Sequence, residues 1–219
     1  IMSSDWSSDV CSSDLSHAHA DHTGGLAAFF ERNSHAPVFA GSGITGGRYS
    51  VREDKRRAIG VDPAVHEAHR DRFRAVSEAV RPAAGIGVSL VAHRPHPAPS
   101  GNRHLYRERA GTLVQDPFEE EIFLWVEEPD GIRVVTGCSH SGIANIVEAA
   151  GSHGRVVSVV GGFHLKGEEE SRVREIAQLL SPLERLYTGH CTGREAYEIL
   201  RDELGERVRY ASTGTRAEC

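Results

Sequence analysis

Residues 16–25 read SHAHADHTGG and bring four common metal-binding side chains together in a few positions. His17 and His19 are two positions apart, so an extended backbone directs both imidazoles to the same side. Asp21 and His22 come next, where the sequence predicts the start of a helix, and their side chains diverge. One short segment can therefore offer two ligands to one cation and two to a second. A cation bound there would lower the pKa of a water molecule to near neutrality.

A histidine-rich surface segment that binds metals only incidentally is the simpler alternative. The fixed order H-x-H-x-D-H argues against that alternative, as do the small residues Ala18 and Ala20, which leave the ligands accessible. Gly24 and Gly25 then provide a turn into a predicted amphipathic helix at 23–33. We therefore interpret the segment as a metal site at the start of a helix.

Three further histidines, His140, His164 and His190, each follow a segment that we predict to be a β-strand. In open α/β sheets, functional sites collect in the loops beyond the ends of the strands. A single histidine in such a loop is a structural hydrogen-bonding group about as often as a ligand. Three of them at three strand ends indicate a common site, and we expect them to lie near the motif at 16–25.

The bulk composition is that of a globular protein, with 39% hydrophobic and 26% charged residues in 219. A chain of this length can bury a core without a structural metal, so we expect any metal to serve chemistry. The net charge of −6 argues against a general nucleic-acid-binding face. The four cysteines show no CxxC spacing, and no apolar run approaches the roughly 20 residues that span a bilayer. No signal peptide is recognised, so we expect a cytoplasmic protein with a small-molecule substrate and no nucleic-acid or membrane partner.

Residues 1–15 read IMSSDWSSDVCSSDL, in which the unit Ser-Ser-Asp occurs three times without helical or strand periodicity. This stretch resembles translated sequencing-adapter read-through, and a flexible polar N-terminus is the alternative. We therefore assign residues 1–15 to a non-native or disordered segment and 16–219 to one metal-binding domain. If the stretch is an artefact, we expect native N-terminal strands to be missing.

Hydrophobic periodicity predicts strands that alternate with helices, which is typical of an α/β layered fold. Asp62 and Pro63 predict a capped helix over 62–81, and the proline-rich stretch 82–117 predicts a long loop with one strand at 88–92. We expect residues 44–117 to form an insert or lid. The other predicted strands are 37–41, 122–127, 132–136, 155–160, 186–188 and 208–212, and the other helices are 141–150, 171–180 and 195–204.

The order H-x-H-x-D-H resembles the signature of the metallo-β-lactamase superfamily, whose fold is a four-layer αββα sandwich. Three later segments strengthen the resemblance: TGCSHSGI at 136–143, VVGGFHL at 159–165 and YTGHCTG at 187–193. As a set, the four motifs resemble one branch of the superfamily, the 7,8-dihydropterin-6-methyl-4-(β-D-ribofuranosyl)aminobenzene-5′-phosphate synthase-like or dihydropteroate-synthase-like enzymes. They extend from residue 16 to residue 193, so the resemblance covers nearly all of the chain beyond its first fifteen residues.

The resemblance implies two neighbouring metal positions. The ligands that it implies are His17, His19, Asp21, His22, His140 and His190. His140 would complete the first position with His17 and His19, and the other three residues would form the second. Zinc is the expected metal, as one or two ions, with manganese or iron as alternatives. No residues that bind an organic cofactor are expected. Asp21 is also the expected catalytic residue that holds and orients the attacking water.

His164 marks a departure from the superfamily, many members of which have a bridging aspartate at this point. We assign His164 to the catalytic residues with three roles open: metal ligand, hydrogen-bond partner of the substrate, or support for a neighbouring side chain. The superfamily also carries an aspartate-bearing strand where this chain has residues 1–15. Cys138 and Cys191 could supply thiolate ligands, although packing as small buried residues beneath the site is the simpler interpretation.

The leading functional hypothesis is a metallo-hydrolase in which a metal-activated hydroxide attacks an ester, phosphoester or amide-like centre of a small molecule. One alternative is a pterin-linked synthase of the same fold that forms a C–N bond, and another is a non-catalytic or truncated metal-binding protein. An anionic substrate could meet basic side chains of the middle segment, although a solvated surface role is the simpler interpretation for most of them. These residues are Arg48, Arg52, Arg56, Arg57, Arg94 and Arg103.

Overall fold

A computed structural model of the chain describes residues 13–53 and 55–216. The strands in these residues are β1 (Ser13–Leu15), β2 (Val38–Gly41), β3 (Arg48–Arg52), β4 (Lys55–Ala58), β5 (Phe73–Val76), β6 (Val80–Ala83), β7 (Ile86–Leu90), β8 (Leu105–Arg109), β9 (Thr112–Gln115), β10 (Ile122–Glu128), β11 (Gly131–Val135), β12 (Val156–Gly161), β13 (Arg185–Thr188) and β14 (Val208–Tyr210). The helices are α1 (Ala20–Thr23), α2 (Leu26–Arg32), α3 (Pro63–Ala68), α4 (Ile143–Gly151), α5 (Glu170–Leu180) and α6 (Arg194–Leu204).

The largest sheet has the strand order β14-β13-β12-β11-β10-β7-β6. Strands β11 to β14 are parallel, and α4, α5 and α6 connect them in turn. These helices bury Ile146, Leu180 and Leu200 in the main hydrophobic core, against strand residues such as Val134 and Val159. The sequence predicted β10 to β14 and these three helices, and the structure confirms them with small differences at their ends.

Alternating side chains of β10 separate two cores on opposite faces of the large sheet. Phe123 and Trp125 belong to the helix-covered core, whereas Ile122 packs with Val76 in a second cluster. Val76 lies in a three-stranded parallel sheet of order β1-β2-β5, so this second cluster fills the space between two sheets.

The outer face of the small sheet is covered by α2. Leu15 and Val38 of the sheet form a third apolar cluster with Leu26 and Phe30 of the helix. The layers therefore run helices, large sheet, small sheet, helix, and this order confirms the predicted αββα sandwich.

A separate four-stranded antiparallel sheet of order β4-β3-β8-β9 lies within residues 44–117. The same stretch also contributes β5 to the small sheet and β6 and β7 to the large one. The assignment of this stretch to an insert or lid stays a prediction, and so does the boundary of the metal-binding domain at residue 16.

The predicted helix over 62–81 is wrong beyond its first two turns. Asp62 does cap the helix, because its side chain accepts a hydrogen bond from the Ala64 N–H, but α3 ends at Ala68. A single 3-10 turn follows, and then the chain forms β5 and β6. The spacing of the apolar residues fitted a helix, but pairing of β5 with β2 buries Val76 completely, and this tertiary contact outweighs local propensity.

The predicted long loop over 82–117 is also wrong. The strand expected at 88–92 is present as β7, but β8 and β9 form a further hairpin around Ala110 and Gly111. Most residues of this hairpin are partly or fully exposed, so it lacks the apolar alternation that reveals a half-buried strand.

Within the N-terminal segment 1–15, the last three residues form β1, which pairs in parallel with β2. The predictions for residues 1–12 lie outside the described residues. In the parts of the chain that the structure describes, no helix combines the length and the apolar character needed to cross a membrane.

A buried charge cluster ties the four-stranded sheet to the chain just before β10. Arg48 on β3 is only 3% exposed, and its Nε lies 2.6 Å from Asp116 Oδ2. Its Nη2 lies 3.0 Å from Glu120 Oε1 and also donates a hydrogen bond to the Gly43 carbonyl. Removing one member of such a cluster leaves buried charge without a partner, which is costly.

We predict that Arg48→Met lowers the free energy of unfolding by about 3 kcal/mol, because two buried carboxylates lose their counter-charge. Arg56→Met is the matched control, since Arg56 is exposed on the neighbouring strand and should cost less than about 1 kcal/mol. Urea titrations followed by circular dichroism give both values. Equal losses in the two variants would contradict the structural role of Arg48.

Candidate metal centre

The fold brings the four histidine-bearing motifs to one edge of the molecule. His140, His164 and His190 follow β11, β12 and β13, which are adjacent parallel strands. Their carboxyl ends therefore lie side by side. β1 ends at Leu15 and leads directly into the motif at 16–25, whose Ser16 carbonyl accepts a hydrogen bond from the Ile122 N–H at the start of β10.

Three imidazoles form the buried part of the cluster. The ring centroids of His17, His19 and His140 are 4.7 Å apart in every pair. Each ring has a buried Nε2 atom without a hydrogen-bond partner among the described residues. Buried nitrogens are rarely left without a partner, and a cation is the partner that suits several converging imidazoles. The donor set present therefore fits a transition-metal ion.

Burial keeps these imidazoles neutral. Desolvation lowers the pKa of His17 and His140 well below the ordinary value of 6.5, and the neighbouring histidines add to this effect. The pKa of His19 falls to about 4, again mainly through desolvation. Near pH 7 each ring thus has a lone pair available for a metal.

A hydrogen bond sets the tautomer of His140. Its Nδ1 lies 2.9 Å from Asn102 Oδ1, while the amide nitrogen of Asn102 donates to the His140 carbonyl. Because Oδ1 can only accept, Nδ1 carries the proton and the lone pair is on Nε2. This arrangement is common for histidine ligands, whose second nitrogen is held by a neighbouring group.

A second group of donors lies beside the first and is more exposed. His22 Nε2 is 3.7 Å from Asp21 Oδ2, and His190 Nε2 is 3.3 Å from the same oxygen. Cys138 Sγ lies 3.2 Å from His22 Nε2. One donor atom each from His22, Cys138 and His190 fall within 4.8 Å of one another, so this group could also hold a cation.

Cys138 lies at the junction of the donor groups. Its sulfur is grouped with His17 and His140, and in another set with His164 and Cys191. The His164 ring packs 4.2 Å from that of His140, and its buried Nδ1 has no hydrogen-bond partner among the residues described. The structure thus brings His164 and both thiols to the centre.

A cleft of about 650 Å³ opens over the cluster, within the range typical of small-molecule sites. His19, Asp21, His140, His164 and His190 line one side, and residues of β3 and β4 line the other. All six predicted ligands therefore lie at or beside one cleft.

Comparison with known proteins agrees with this geometry. No protein-family profile matches the chain. Over 204 residues it is 29% identical to the 7,8-dihydropterin-6-methyl-4-(β-D-ribofuranosyl)-aminobenzene-5′-phosphate synthase of Methanocaldococcus jannaschii, covering 88% of this chain and 69% of that protein. An uncharacterized protein of the same archaeon is 28% identical over 192 residues, covering 83% of this chain and 69% of its own length.

A solved metal-dependent hydrolase of the β-lactamase superfamily has the same fold, with a TM-score of 0.80 and 27% identity over 94% of this chain and 78% of its own. In both fold and sequence, the chain is similar to this metallo-β-lactamase-superfamily hydrolase. The predicted resemblance to this superfamily and the αββα fold are thereby confirmed, and the similarity to the synthase supports the predicted branch.

Several residues that support the centre of this metallo-β-lactamase-fold protein were missed at the sequence level. Glu121 is fully buried, and its two carboxylate oxygens accept hydrogen bonds from the N–H groups of His140 and Ser141, at 2.7 and 2.5 Å. The Phe118 ring stacks on the His140 imidazole, with centroids 4.0 Å apart and planes 4° apart. Neither residue belongs to a motif. The only available signal was their position just before a strongly predicted strand.

Two further carboxylates of the chain, which belong to none of the four motifs, have structural partners. Asp116 pairs with Arg48 in the buried cluster, and Asp130 pairs with Arg133 in the hairpin turn between β10 and β11. Neither lines the cleft over the histidines.

We predict that Glu121→Gln weakens metal binding about 10- to 100-fold, the range typical of residues that support ligands. The carboxylate now accepts a hydrogen bond from each of two backbone N–H groups. The side-chain amide of glutamine would place an N–H donor against one of them, and the loop that carries His140 would shift. Competition with a chromophoric chelator measures the affinity. Glu119→Gln is the control, because Glu119 is exposed and pairs with arginines of β8. An unchanged affinity in a folded Glu121→Gln protein would contradict the positioning role.

We also predict that the metal-stripped protein loses stability below pH 6.5. The unfolded chain binds protons at histidines near pH 6.5, whereas the folded chain does not bind one at His19 until about pH 4. The unfolded state is therefore favoured as the pH falls, by about 2 kcal/mol for this group between pH 7.5 and 5. Denaturant titrations of wild type and His19→Gln at both pH values test this. A pH dependence unaltered by the substitution would contradict it.

Proposed function

We propose that the chain is a metal-dependent hydrolase that acts on an ester, phosphoester or amide-like bond of a small molecule. The observation that carries this proposal is the cluster of three buried imidazoles with unpartnered Nε2 atoms at the floor of a cleft of ligand size. A solved relative is a metal-dependent hydrolase, which supports the same reaction class.

The proposed ligands fall into two groups. His17, His19 and His140 would hold one ion, and the more exposed Asp21, His22 and His190 would hold a second. Cys138 is a further donor for the second position, because its sulfur lies 3.2 Å from His22 Nε2. Imidazole and thiolate donors favour zinc, with manganese and iron as alternatives.

A divalent cation bound there supplies Lewis-acid chemistry and lowers the pKa of water. The chain's own groups then orient the reactants. Asp21 faces the cleft, and its carboxylate can hold the attacking water and accept its proton. His164 lines the same cleft and can donate a hydrogen bond to the substrate. Glu121, Phe118 and Asn102 hold His140 in place.

A synthase is the second candidate, favoured by the relative whose name describes a dihydropterin joined to an aminobenzene ribofuranosyl phosphate. The same cluster could stabilise a leaving group during C–N bond formation. Incubation with a dihydropterin pyrophosphate and an aminobenzoate tests this candidate, and the absence of a coupled product would remove it. Metal binding without turnover of any substrate class would instead indicate a non-catalytic protein.

We predict that His140→Ala removes about one metal ion per chain and reduces hydrolysis of p-nitrophenyl esters or bis(p-nitrophenyl) phosphate at least 100-fold, of the order seen when a catalytic group is lost. His93→Ala is the control, since that ring is 79% exposed and far from the motifs in sequence. Elemental analysis gives the metal content independently of activity. Full metal content and wild-type rates in His140→Ala would contradict the proposal.

A further inference from the structure

The β3–β4 hairpin forms the wall of the cleft opposite the histidines. Ser50, Arg52 and Arg57 of this hairpin line the cleft, together with Ala58 and Ile59. The acidic residue among the lining is Asp21, which belongs to the metal centre itself. The hairpin wall is therefore basic and polar, whereas the floor carries the metal-binding groups.

The register of the hairpin places its three polar lining residues on one face. Ser50 is directly opposite Arg57, and Arg52 is two positions along β3, so all three lie on one face. Tyr49 and Arg56 occupy the other face, where the Arg56 guanidinium lies 3.6 Å from the centroid of the Tyr49 ring. Arg56 and Arg57 are thus neighbours in sequence that point to opposite sides.

The other arginines of the middle segment already have partners. Arg48 is buried against two carboxylates, and Arg56 lies 3.7 Å from Glu108. Arg94 donates to three backbone carbonyls, and Arg103 to His104 and Ser100. Arg52 and Arg57 differ, because the guanidinium group of neither has a hydrogen bond or ion pair with any residue in 13–53 or 55–216.

Two guanidinium groups that pair with no carboxylate of the described residues, on one wall of a ligand-sized cleft, favour an anion. A guanidinium presents paired N–H donors that match the oxygens of phosphate, and two of them match the two negative charges of a phosphate monoester. A single carboxylate carries one negative charge and would leave the second guanidinium charge unbalanced.

We propose that Arg52 and Arg57 form a subsite for a phosphate monoester group of the substrate. The reacting bond would lie over the histidines and the phosphate against the hairpin. This inference rests on the proposed function for the identity of the substrate, but phosphate binding itself requires no turnover.

Calorimetric titration of the metal-loaded full chain with glycerol phosphate tests the subsite directly. We expect the double variant Arg52→Gln/Arg57→Gln to bind at least 10-fold more weakly than wild type, and Arg56→Gln to bind within twofold of wild type. The Arg52→Lys/Arg57→Lys variant keeps both charges without the paired donors, and we expect an intermediate loss. Neutral glycerol should bind none of these proteins.

Two results would overturn the subsite. One is equal binding by wild type and both double variants, since any remaining affinity would then come from the metal centre alone. The other is acetate binding as tightly as glycerol phosphate, which would show no preference for a dianion. If the wild-type protein binds glycerol phosphate through these arginines but hydrolyses none of the tested substrates, the proposed reaction is overturned and the subsite is still supported.

Discussion

Buried imidazoles whose Nε2 atoms have no partner in the described part of the chain are the constraint on which the structure depends. Taking His17, His19 and His140 out of water keeps them neutral, and among residues 13–53 and 55–216 their Nε2 atoms have no hydrogen bond. That arrangement is unfavourable for folding alone, because unsatisfied buried polar groups cost free energy. A bound cation would remove this cost, so the same feature that weakens the metal-free fold favours metal binding.

One segment of chain links this centre to the β3–β4 hairpin, which forms the opposite wall of the cleft. Residues 116–121 contribute Asp116 and Glu120 to the buried charge cluster with Arg48, and Phe118 and Glu121 to the support of His140. The β3–β4 hairpin and the histidine floor are therefore held by neighbouring residues of the same segment.

The sequence predicted the histidine cluster because its signals are local. A fixed ligand order and small neighbouring residues mark the motif at 16–25, and strand ends mark His140 and His190. The supporting residues could not be found in this way, because Glu121 and Phe118 act through tertiary contacts without any motif. The prediction of a helix over 62–81 was wrong for a related reason. The spacing of apolar residues there fits a helix as well as it fits β5, a partly buried strand that pairs with β2.

Anomalous diffraction from a zinc-soaked crystal tests the central claim most directly. The account predicts a zinc ion bonded to one nitrogen each of His17, His19 and His140 at about 2.0–2.1 Å. Zinc found only at scattered surface sites, with these three imidazoles left uncoordinated, would contradict it.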